Sequence, residues 1–540
     1  MTGVRRDTKW WGWGDAEKRQ PLSGSARAML AELGAGETER PAPALEEVEL
    51  SAATELPATV VEAAGAGNVL TGAEDRVRHA TGSSYPDLIR RRSGRLETPD
   101  AVVVTEDETA VRAVLEACTR ERIAVVPFGG GTSVVGGVDP IRGEHGAVIA
   151  LDLAPLRAVE VDRSSLLARL GAGLRGPEAE DALAPHGLTL GHFPQSFEYA
   201  TIGGFAATRS AGQASSGYGR FDDLVASARM IAPAGDLETL RTSHTAAGPS
   251  LLQVALGSEG ALGVITEVTA RVRPAPEARR YEAWMAADFE SACELVRALA
   301  QDGALPDVIR LSDREETRVS LAMAGTGGAG RRAFDLYLRA RRRSEGCLII
   351  AGYEGSSEAV SRRRALGARG FRFGGAAYLG RKPGAAWRHG RYDGPYLRDE
   401  LLDAGLMAET LETSHVWSAL DGHYRAVGDA IRGALEDQGT PGIVMCHLSH
   451  AYRDGASLYY TFIAPQRAGN ELEQWRAVKT AACEAIVAQR GTITHHHAVG
   501  RDHAPYMGSE VGELGVELLR TLKEGADPAG IMNPGKLVPG

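Results

Sequence analysis

The period of the apolar positions changes several times along the chain, and each change marks an element. Ala101 to Thr105 is a short β-branched run, Glu108 to Arg120 carries helical spacing, and Ile123 to Pro127 is a second apolar run that ends at a glycine loop. This order predicts a β-α-β start. Further strands are predicted at Ala147 to Leu153, Leu167 to Gly171 and Gly263 to Val272, with helices near Pro177 to His186 and Pro249 to Leu256. The stretch Arg273-Pro-Ala-Pro276 closes the region, and helical spacing returns at Asp288 to Ala300 and Ser357 to Ala368. Leu458-Tyr-Tyr-Thr-Phe462 reads as a strand with side chains facing alternately, so only one of Tyr459 and Tyr460 can face a site. Val511 to Leu522 reads as a last helix before the turn Asn533-Pro-Gly-Lys536.

These elements predict an α+β chain. Residues 1–95, with the cluster Trp10, Trp11 and Trp13 and a Pro/Ala/Glu-rich linker around Glu37 to Val48, read as a partly helical extension outside any domain core. A first unit spans 96–275, a second spans 276–504, and 505–540 is a closing segment. The glycine-rich run Ala324 to Arg331 suggests a gate or loop within the second unit.

Composition narrows the function classes. A hydrophobic share of 43% with 24% charged residues fits a globular chain, and no apolar run reaches the roughly 18 residues of a membrane span. The net charge of −10 argues against a nucleic-acid partner, which needs a basic surface. The five cysteines stand singly, without CxxC spacing, so neither a disulfide framework nor a zinc site is expected. No targeting address is legible, and a cytoplasmic location is expected.

The strongest chemical signal is Pro127-Phe-Gly-Gly-Gly-Thr-Ser-Val-Val-Gly-Gly137. Consecutive glycines let backbone N–H groups converge on an anion without Cβ obstruction. A Walker A loop would need Lys after its last Gly, and GxGxxG fails because Val134 stands at the third Gly, so a diphosphate of another kind is indicated. Alone, such a loop is only slightly better evidence for function than for a surface turn. Two more glycine loops follow, Thr201-Ile-Gly-Gly204 and Gly257-Ser-Glu-Gly-Ala-Leu-Gly-Val-Ile-Thr266.

This order, with the terminal Asn533-Pro-Gly-Lys536, resembles the PCMH-type FAD-binding domain shared by vanillyl-alcohol oxidase, D-lactate dehydrogenase and alkyldihydroxyacetonephosphate synthase. The resemblance implies two α/β subdomains over 96–275, an α+β cap domain over 276–504 and a C-terminal segment returning to the FAD domain. It implies FAD contacts from Pro127, Gly129, Gly130, Gly131, Thr132, Ser133 and Gly136. The second loop region would add Pro194, Ser196, Thr201, Gly203 and Gly204, and the third Glu259, Gly260, Gly263, Val264 and Ile265. Relatives with covalent flavin often carry a His at the first loop, where this chain has Thr132 and Ser133, so FAD is expected to be non-covalent.

Further segments resemble the alkyldihydroxyacetonephosphate synthase family specifically. They are Lys9-Trp-Trp-Gly-Trp13, Gly191-His-Phe-Pro-Gln-Ser196, Val308-Ile-Arg-Leu-Ser-Asp313, Tyr396-Leu-Arg-Asp399, Glu412-Thr-Ser414 with Trp417, Tyr452-Arg-Asp-Gly-Ala-Ser-Leu-Tyr459 and His495-His-His-Ala-Val-Gly500. That family exchanges the acyl group of acyl-dihydroxyacetone phosphate for a long-chain alcohol through a flavin N5 adduct, without net redox. Such chemistry needs a base beside the ketone, donors for its oxygen and cations for its phosphate. The resemblance puts Tyr459 as the proton acceptor, with His495, His496 and His497 as further catalytic residues, and Arg310, Arg398 and His192 at the substrate. Taken without it, Tyr459 is as readily a packed sheet aromatic, and most arginines are solvated. On a strand, the outer two histidines of the triplet would share a face; a metal role is not expected, because HExxH and paired cysteines are absent. No role is assigned to His447 or His450. A lipid substrate, peripheral membrane association and a homodimer are expected. The competing reading is an FAD-linked oxidase or dehydrogenase of a 2-hydroxy acid or small alcohol, with the arginines on a carboxylate.

Overall fold

The computed structural model describes residues 5–34, 40–323 and 329–539. Three sheets organise it. The first orders its strands as Val69–Leu70, Ala101–Val104, Ala147–Asp152 and Ile123–Phe128, the last three parallel. Parallel strands need a crossover, and Glu108–Glu121 supplies it between Ala101–Val104 and Ile123–Phe128, which flank Ala147–Asp152 on either side. This helix starts where the Asp107 carboxylate accepts the amide of Ala110 at 2.8 Å, and it ends at Arg122, whose φ of 53° stops helical propagation. Val111, Val114, Leu115 and Cys118, at helical spacing, bury its inner face.

The second sheet is antiparallel, in the order Gly235–Glu238, Val225–Ala232, Val264–Arg271, Leu167–Gly171 and Val159–Asp162. The third has seven antiparallel strands, in the order Ala377–Gly380, Ala278–Ala286, Cys347–Gly355, Val308–Ser312, Ile443–Ala451, Gly455–Pro465 and Leu406–Val416. One face of this sheet buries Trp284, Ile349, Leu448, Tyr460 and Phe462 beneath the helices Phe289–Gln301, Ser357–Phe373 and Trp417–Asp437. Alternation turns Tyr459 and His447 to the other face.

The expected helices lie within a few residues of their predicted bounds, except that the last runs Met507–Ala526 and is broken at Gly512, where φ is 74°. The glycine-rich run from Ala324 lies at 324–328 outside the described residues. The chain's end returns to the first glycine loop: Asn533 Nδ2 donates to the carbonyls of Gly137 and Glu259, and Lys536 Nζ to that of Asp139.

The first 95 residues differ from the expected extension. Leu56, Val60 and Ala64 belong to the core of the first sheet, Tyr85 and Leu88 to that of the third. Lys9 Nζ lies 2.9 Å from the Asp399 carboxylate with both side chains 3% exposed, and the Trp13 amide donates to the same group. A Cβ on Gly12 would stand 2.6 Å from Asp399 Oδ2, so only glycine allows this approach. Removing one member of a buried pair strands the other charge, at a cost of about 3–5 kcal/mol. Lys9→Met should therefore lower unfolding stability by about 3 kcal/mol, and Lys9→Met with Asp399→Asn should recover most of that loss in denaturant titrations.

Candidate active site

A cavity of about 840 Å³ runs between the glycine loops and the face of the seven-stranded sheet that carries Tyr459 and His447. Strand register builds its chemical end. Ser312 stands opposite His447, His447 opposite Tyr459, and Tyr459 opposite Glu412, a row across four adjacent strands on one face. The His447 and Tyr459 rings stack at 4.8 Å between centroids. Tyr459, His496 and His497 line the cavity; the Tyr459 centroid lies 6.0 Å from that of His496 and 5.4 Å from that of His497.

The triplet does not lie on a strand. It bends around the fully buried Glu412, whose carboxylate accepts the amides of His495 at 2.6 Å, His496 at 2.9 Å and His497 at 2.8 Å, and the Thr494 hydroxyl at 2.6 Å. His496 Nδ1 lies 3.4 Å from the same group. The second and third histidines thus face the cavity, in place of the first and third. His495 turns aside to Tyr452, 2.8 Å from its Nε2, and stacks on His450, whose Nδ1 lies 2.6 Å from Ser215 Oγ. Burial alone would raise the Glu412 carboxyl, but His496 opposite it holds it well below the usual range. Burial also pushes His497 down to about 3 and Tyr459 up to about 12.

Arg310 lines the cavity with its charge already engaged. It donates to Glu316 Oε1 at 2.6 Å and to His447 Nε2 at 3.1 Å, and His447 Nδ1 lies 3.1 Å from the same Glu316 oxygen. Those bonds fix His447 with its proton on Nδ1. Arg398 also lines the cavity and makes no ion pair among the described residues; its Nε is buried without a partner. His192 does not line it. Its ring lies 4.7 Å from Phe205 and 4.9 Å from Phe221, Nε2 is 2.7 Å from Ser210 Oγ, and burial pushes it down to about 3. Glu412, Glu316 and Arg391, also at this site, carried no role in the sequence reading. Glu412 sat within a noted motif, whereas nothing in the sequence singled out Arg391.

The residues fit FAD. Pro127, Gly129 to Ser133, Pro194, Ser196, Thr201, Gly203, Gly204, Glu259, Gly260, Gly263 and Ile265 all line the cavity, while Gly136 and Val264 do not. Among the described residues, the amides of Gly130 to Val134 find no acceptor in the protein, as a cradle awaiting a diphosphate requires. A Cβ on Gly130 would come within 2.2 Å of the Tyr199 carbonyl oxygen, so the loop packs this close only as glycine. Burial pushes Glu259 up to about 7, and its carboxylate accepts the amides of Val499 and Gly500, tying the third loop to the triplet's segment.

Fold and site define an FAD-linked flavoenzyme of the PCMH type. A model of FAD-binding domains matches residues 99–241, and one of the C-terminal domains of FAD-linked oxidases matches 275–537. A crystal structure of p-cresol methylhydroxylase shares the fold, with a TM-score of 0.65 over 88% of this chain and 95% of that one, at 13% identity. The chain belongs to the alkyldihydroxyacetonephosphate synthase family. It is 33% identical to the Trypanosoma brucei brucei synthase, covering all of this chain and 94% of that protein. A solved alkyldihydroxyacetonephosphate synthase superposes with a TM-score of 0.85 at 28% identity, covering 98% and 99% of the two chains.

Proposed function

We propose that the protein is an FAD-dependent transferase that replaces the acyl group of acyl-dihydroxyacetone phosphate with a long-chain alcohol, without net redox. The observation that carries this reading is the cavity's shape. It includes an apolar wall of Met29, Leu30, Val319, Leu401, Met445 and Ile463, contributed by the helix Gly24–Ala31, the seven-stranded sheet and the helices Arg314–Met323 and Gly394–Asp403. A small hydroxy acid needs no such wall, whereas an alkyl chain gains about 0.8 kcal/mol per buried CH₂. Non-covalently bound FAD would supply a reversible electron sink for the substrate carbon. Tyr459 would take the proton beside the ketone, His496 and His497 would hydrogen-bond the ketone oxygen, and Arg398 would bind phosphate. The substrate would reach the site from a membrane surface; among the described residues no helix is long and apolar enough to cross one.

The test is exchange in the absence of any electron acceptor. Purified holoenzyme given acyl-dihydroxyacetone phosphate and a fatty alcohol should release fatty acid and form the alkyl product while the oxidised flavin band persists. Lack of exchange at every chain length, with bleaching of that band by 2-hydroxy acids under anaerobic conditions, would establish the oxidoreductase reading instead.

A further inference from the structure

We propose that Arg391 is a second anion-binding residue of this cavity and closes on the substrate phosphate together with Arg398. The inference rests on the reading of the site as one for a phosphorylated ketone. Among the described residues, the arginines and lysines lining the cavity are Arg310, Arg391 and Arg398. A phosphate near neutral pH carries almost two negative charges, and a single guanidinium leaves a buried dianion undercompensated. Arg310 is already matched by Glu316. Arg391 and Arg398 have no carboxylate within ion-pair distance among the described residues.

Arg391 is held ready for such a task. Its carbonyl accepts Nε2 of Gln195 at 2.9 Å and Nε2 of Gln213 at 3.0 Å, which pins its backbone to the flavin domain. Its guanidinium stands 4.6 Å from the Phe193 centroid and 4.9 Å from that of Tyr392. Stacking fixes the plane of the fork and leaves its edge N–H groups free to donate. Arg398 follows seven residues later, on the helix Gly394–Asp403. Arg391 precedes that helix, in the turn after Lys382–Gly390, and both arginines line the one cavity. Arg391 and Arg398 thus form the phosphate clamp, and Arg310 serves the His447 and Tyr459 side of the cavity.

Calorimetric titration of the FAD-loaded protein with dihydroxyacetone phosphate tests this assignment. Arg391→Gln should weaken binding at least tenfold, raise KM for acyl-dihydroxyacetone phosphate by a similar factor, leave kcat within about threefold and retain FAD. Arg391→Lys should recover part of the affinity, because it restores charge without the fork. If Arg391→Gln binds like the parent while Arg398→Gln is weakened, the Arg391 assignment fails and the phosphate reading stands. Loss of FAD from Arg391→Gln would make it a cofactor residue and overturn the proposal. If the unmodified protein binds no dihydroxyacetone phosphate, the phosphate reading fails and the clamp fails with it.

Discussion

Tyr459→Phe should keep its flavin and its fold while turnover falls about a hundredfold or more. The substitution removes one hydroxyl from a ring fixed between His447 and the triplet, and the glycine loops that hold FAD are untouched. A positioned acid–base group is worth about 10² to 10⁴ in rate, whereas one lost hydroxyl in a packed sheet costs little stability. Burial pushes this phenol up to about 12, so before substrate binds it is protonated near neutral pH. To act as a base it would need that pKa lowered when substrate binds; His447 stacks on its ring and His496 lies beside it. The exchange rate should rise with pH on the alkaline side, because deprotonating a group with a raised pKa needs higher pH. Turnover and flavin absorbance, followed together from pH 6 to 10, check both statements. Near-parent turnover in Tyr459→Phe would return the ring to a packing role and move the base to His447, His450 or the triplet.

The parts of this site that the sequence disclosed are those whose signal is local. Glycine runs announce backbone approach, and period-two alternation places Tyr459 and Tyr460 on opposite faces. What stayed hidden depends on partners far along the chain. Lys9 and Trp13 looked like part of a loose extension because Asp399, which holds them, lies 390 and 386 residues away. The shape of the triplet is set by a carboxylate 83 residues earlier, which gathers three successive amides that a strand would send to opposite sides. His192 carried a family motif into the aromatic packing of Phe205 and Phe221, where Ser210 and Phe205 stand between it and the cavity. Arg310, which a motif marked, is engaged by Glu316 and His447, whereas Arg391, which no motif marked, has no carboxylate within ion-pair distance among the described residues.

The other large effect is expected at Glu412, which holds the backbone of the triplet without lining the cavity itself. Its two oxygens accept four hydrogen bonds, three of them from the amides of His495, His496 and His497, and it is 1% exposed. Each buried N–H left without an acceptor costs about 1–3 kcal/mol, so Glu412→Ala should release the segment and lower both stability and turnover, the latter about a thousandfold. Glu412→Gln is the more informative change. Its amide oxygen still accepts, but its NH₂ group faces backbone donors and the negative charge opposite His496 is gone. Turnover should fall about a hundredfold with KM changed less than about threefold, since the arginines stay in place. Loss of thermal stability alone, with kcat per flavin unchanged, would reduce Glu412 to a scaffold residue. A fall in kcat at constant flavin content and near-parent melting temperature would show that the geometry it imposes on His496 and His497 serves the chemical step.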